Sequence, residues 1–92
     1  MMHNITIHGY TFPLGDYMMK LIEDDCVHAV ASIQEGKPTV TLQTMPGQTV
    51  GQHKGIVGQF KSIDEANTCA ERIADYLTIP CQLIGTEHVN EA

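Results

Sequence analysis

Polar and apolar residues alternate along Asn4-Ile5-Thr6-Ile7-His8, the period of a half-buried strand, and Gly9 ends the run. Asp16 is placed to cap a short helix over Tyr17–Glu23, with Leu14, Met18, Leu21 and Ile22 on one face; an irregular strand over the same residues is the alternative. After Asp24-Asp25, the mostly apolar run Cys26–Ile33 reads as a strand. Glu35-Gly36-Lys37-Pro38 reads as a turn, and Thr39–Gln43 alternates as the returning strand of a hairpin. Residues 45–55 hold too much glycine for a helix and too little apolar periodicity for a buried strand. Ile56–Phe60 predicts a further strand, with Gly58 its weak point or bulge. Ser62-Ile63-Asp64-Glu65 has the form of a capping box, in which the hydroxyl and the carboxylate satisfy free backbone N–H groups at a helix start. Ile63, Ala66, Ala70, Ile73 and Leu77 then recur at steps of three and four, a core-facing helical stripe that ends near Thr78 because Pro80 cannot continue it. Cys81–Ile84 predicts a last strand, and residues 86–92 a polar tail. The expected fold is a small α+β domain over residues 1–92: an antiparallel sheet of four to five strands packed by one long C-terminal and one short N-terminal helix.

Composition narrows this. Ninety-two residues make one domain, and 42% hydrophobic residues suffice for a core while only 17% are charged. Tryptophan is absent and aromatics are 5%, so Ile, Leu, Val, Met and Ala must fill the interior. No run approaches the roughly 20 apolar residues needed to span a bilayer. The N-terminal residues lack the charged-then-apolar pattern of a secretory leader. Cys26, Cys69 and Cys81 form no recognisable disulfide framework, which suits reduced thiols in a cytosolic protein.

Charge is distributed unevenly. Acids outnumber bases eleven to five, yet the stretch from Gly36 to Ile63 contains no carboxylate and holds Lys37, Lys54 and Lys61 together with His53 and five of the eight glycines. Its loop could lay bare N–H groups, Gln48, Gln52, His53 and Lys54 against a phosphate backbone or an acidic protein surface; a plain mobile connection is the bland alternative. Gly47, Gly51, Gly55 and Gly58 are wrongly spaced for a phosphate-binding loop, and no Lys-Ser/Thr follows them. Three lysines on a chain of net charge −6 would bind free nucleic acid weakly or not at all, which favours a ribonucleoprotein or protein partner. A second candidate surface is acidic: Asp64, Glu71 and Asp75 fall on one side of the long helix, and Glu23, Asp24 and Asp25 form another cluster. Carboxylate arrays can imitate a nucleic-acid backbone in a basic groove, although most are solvated helix faces.

Catalytic equipment is sparse. The five histidines and three cysteines show neither Cys-x-x-Cys nor His-x-x-x-His spacing. Folding could at most gather Cys26, His28 and Cys81, which would make a small metal or thiol protein; small buried thiols are the commoner outcome. The expectation is a non-enzymatic binding protein without cofactor or metal. In its length, acidity, compact α+β layout and lack of a catalytic motif, and in the Lys37…Lys54…Lys61 strip on an acidic body, the chain resembles the small proteins that bacteriophages encode to inhibit CRISPR–Cas immunity. The resemblance implies stoichiometric binding, in the bacterial cytoplasm, to the Cas subunits or guide RNA of a surveillance complex, blocking target DNA binding or cleavage. Those proteins share no common motif, so the resemblance assigns no residue a role.

Overall fold

The computed structural model describes residues 2–7, 9–45 and 54–85. Strand β1 (Met2–Ile7) and strand β2 (Tyr10–Gly15) form an antiparallel two-stranded sheet, turned at Gly9, whose φ of +82° suits glycine. Helix α1 (Asp16–Glu23) follows at once, then β3 (Val27–Gln34), β4 (Lys37–Thr44), β5 (Lys54–Gln59), helix α2 (Ile63–Leu77) and the two-residue β6 (Cys81–Gln82). The second sheet has the order β5-β4-β3-β6. Its first three strands are antiparallel neighbours, whereas β6 pairs parallel to β3, Ala29 opposite Cys81.

The α+β reading holds, and several details are corrected. There are two sheets rather than one, and the last strand is parallel because α2 carries the chain from the β5 edge to the β6 edge. Strand β2 was not expected; it alternates buried Phe12 and Leu14 with exposed Thr11 and Pro13, and it claims Leu14 from the predicted helix face. Asp16 is the first helical residue and Gly15 the cap, with no side-chain cap bond. The turn after β3 comprises Glu35 and Gly36 alone, both with positive φ (53° and 78°), a mirror-image hairpin turn whose twist matches its strands. The expected irregularity near Gly58 is present as a register shift between Val40 and Thr41, which pair with Gly58 and Ile56 and leave Val57 as the extra residue. The predicted tail lies outside the described residues.

Helix α2 packs across β3 and β4. Ala66, Cys69, Ala70, Ile73 and Ala74 meet Val27, Ala29, Ala31, Val40 and Leu42 in one core, which Phe12, Leu14, Leu21, Ile22, Phe60 and Ile79 complete. Ile63, expected on this stripe, is instead 44% exposed, because it precedes the turn on which the helix reaches the sheet. The capping box forms: the Glu65 N–H donates to Ser62 Oγ (3.1 Å). The Glu65 carboxylate accepts from the Lys61 N–H (3.2 Å), one residue before the usual partner. At the other end Thr78 adopts the left-handed conformation (φ 58°, ψ 52°), turning Ile79 into the core. No helix among the described residues is long and apolar enough to cross a membrane.

Candidate contact surfaces

Register decides which residues share a face. Val27, Ala29 and Ala31 of β3 and Val40 and Leu42 of β4 point to α2, so the alternate positions point away from it. Across this outer face run three rows: His28, Gln43 and Lys54; Gln82, Val30, Thr41 and Ile56; and Ser32, Thr39 and Gln59. Gln43 donates from Nε2 to Thr41 Oγ1 (2.8 Å), and Gln34 from Nε2 to Ser32 Oγ (3.2 Å), so amides and hydroxyls knit the face along its strands. Thr39, Thr41 and Val30 at its centre are buried, while Lys54, Ile56, Gln59 and Gln82 around them are exposed. None of these residues is a carboxylate. Lys37 and Lys54 stand at its two ends.

The structure divides the basic strip. The Phe60 N–H donates to the Pro38 carbonyl (2.8 Å), which brings Lys61 beside Lys37 at one corner of the sheet. Lys54 pairs with Gln43 at the opposite end. Six residues of β4 separate the two ends, about 20 Å at roughly 3.3 Å per residue. Gln48, Gln52 and His53 lie outside the described residues.

The six acidic candidates are all exposed and fall on two elements. Asp64 lies in the first turn of α2, and Glu71 and Asp75 on its later turns. Glu23, Asp24 and Asp25 close α1: the Asp25 N–H donates to Ile22 O (3.1 Å) and the Cys26 N–H to Leu21 O (2.9 Å), with Asp25 left-handed at φ 60°. This is the double-bonded helix ending that usually employs glycine.

Glu71 and Asp75 border a feature that sequence reading did not find, an open groove of about 880 Å³ between α2 and the segment leading into β6. Thr68 and Arg72 line it from the helix, Thr78 from just past the helix end, and Pro80 and Cys81 from the other side. It arises because Thr78 and Pro80 swing the chain back under the helix, a tertiary event with no local pattern. Cys81 is an exposed thiol whose pKa is raised, first by partial burial and then by the Glu71 carboxylate. Burial pushes Cys69, in the core, up to about 11. His28 is lowered by burial.

The three residues weighed for a metal or thiol centre are not gathered. Cys26 is buried and its thiol faces the Asp24 carbonyl (3.4 Å), His28 lies on the outer sheet face, and Cys81 opens to the groove. Among the described residues no group of three or more His, Cys, Asp or Glu is placed to hold a metal ion. Geometry therefore defines an α+β domain with an acid-free outer sheet face and an acidic groove beside α2. The chain matches no family model, no curated protein sequence and no solved structure.

Proposed function

We propose that the chain acts by stoichiometric contact, seating its outer sheet face on an RNA-guided CRISPR–Cas complex and so blocking target DNA binding or cleavage. The segregation of charge supports this reading. In a chain of net charge −6, the exposed and half-buried positions of the rows on that face, around the buried Thr39 and Thr41, carry Lys54, His28, Ser32, Gln43, Ile56, Gln59 and Gln82 and no carboxylate. A face of that kind accepts phosphate oxygens or an acidic protein surface without like-charge repulsion. Two lysines neutralise about two phosphates, giving a salt dependence of only about −2 in log–log slope, too little to hold free nucleic acid at physiological salt. A mixed protein and RNA surface supplies the remaining area.

Phage plating on CRISPR-immune hosts expressing the chain tests the proposal. Plaques restored by the wild type and lost with Lys37→Glu/Lys54→Glu support it. Plaques restored by both move the contact to Glu71 and Asp75, whose shared position beside the groove is the observation favouring the nucleic-acid-mimic alternative. Replacing those carboxylates with amides then decides. No restoration in hosts that cover several CRISPR types overturns the proposed partner.

A further inference from the structure

Independently of that reading, we propose that the groove between α2 and β6 receives an extended, cationic segment of a protein partner. Length is the first argument. Thr68 to Thr78 spans ten helical residues, about 15 Å, which accommodates four to five residues of extended chain at roughly 3.3 Å each.

Backbone polarity is the second. Pro80 O accepts from the Ala29 N–H (2.9 Å), so alternation along the strand turns the N–H and C=O of Cys81 away from β3. Among the described residues strand β6 is the sheet's edge on this side, and its outward groups offer an incoming strand a register point.

Charge is the third argument, and it selects the occupant. Glu71 and Asp75 flank the groove, and the last turn of α2 presents its negative end with no basic residue in it. Arg72 offsets one of these charges, which leaves the groove's sign negative. A bare metal cation is disfavoured because no ligand group of three converges there among the described residues. A second copy of the chain is disfavoured because a twofold contact would set Glu71 and Asp75 against their own images. An arginine or lysine projecting from an extended segment satisfies both the carboxylates and the helix end. Tyr76, 64% exposed on the following position of the helix, and Arg72 are residue types that anchor protein interfaces.

The experiment is an amide-resolved NMR titration of the full ¹⁵N-labelled chain with the blocked peptide Ser-Val-Arg-Val-Ser and with its Arg→Glu counterpart. Saturable shifts at the amides of Glu71, Asp75, Cys81 and Gln82 are expected with the arginine peptide. Affinity should fall about tenfold or more for the glutamate peptide, and likewise for the Glu71→Gln/Asp75→Asn protein. These residues are exposed, and an unchanged spectrum away from α2 verifies the variant's fold. No saturable shift up to millimolar peptide, equal response to both peptides, or shifts confined to the outer sheet face would each overturn the proposal.

Discussion

Cys69 and Cys81 differ in what governs thiol chemistry: one is buried with its pKa near 11, the other exposed beside a carboxylate. Native alkylation at pH 8, mapped by mass spectrometry, should therefore label Cys81 and spare Cys69 and Cys26 until denaturant is added. Glu71→Gln should accelerate Cys81 labelling by less than about tenfold, because burial is the larger cause of its raised pKa. Asp25 offers a second test. A left-handed aspartate at the negative end of α1 suffers both backbone strain and an unfavourable dipole, so Asp25→Gly should stabilise the protein by about 1 kcal/mol in chemical denaturation. Sequence alone placed the break between the short helix and the next strand at Asp24-Asp25. It misplaced Leu14, because a residue next to a helix start can satisfy either period, and only the pairing of β2 with β1 decides between them.

Element α2 was nearly fully legible, because its cap and its stripe are local patterns. Ser62→Ala removes the acceptor for the Glu65 N–H and should cost about 1 kcal/mol, a fall in Tm of roughly 4–8 °C for a domain of this size. What holds β6 was not legible. Asn67 donates from Nδ2 to Ile84 O (3.0 Å) and accepts from the Ile84 N–H (2.8 Å), a two-bond strap across seventeen positions. Asn67→Ala should destabilise by roughly 1–3 kcal/mol, with hydrogen exchange at Ile84 accelerating more than at Leu42. Such a strap leaves no periodic trace, and neither does the parallel pairing that it supports. The β3–β4 hairpin was foreseen because its turn and both strands are contiguous. Its turn proved shorter than expected, since Lys37 and Pro38 already belong to β4.

At the scale of the whole molecule, sequence reading recognised the acid-free stretch and not its folded form. Lysines that look like one strip are separated by the length of β4, and the face between them draws His28, Ser32 and Gln82 from outside the stretch. Stability should register the burial of His28. Its folded pKa lies below the ordinary 6.5, so the unfolded chain binds more protons as pH falls below that value. Stability is therefore full above about pH 6.5 and declines as pH drops through the folded value; His28→Gln should flatten that part of a Tm-versus-pH profile. The path of α2 from the β5 edge to the β6 edge also governs how the chain emerges from a ribosome. Everything up to Gln59 leaves the strip of β3 and β4 under α2 uncovered, since Phe12, Leu14, Leu21 and Ile22 close only part of the core, and the residues that follow β5 complete it. Translation that stops before Leu77 thus releases a partly covered sheet rather than a smaller domain, and the nascent protein's exposure to chaperones and proteases is set by when α2 emerges.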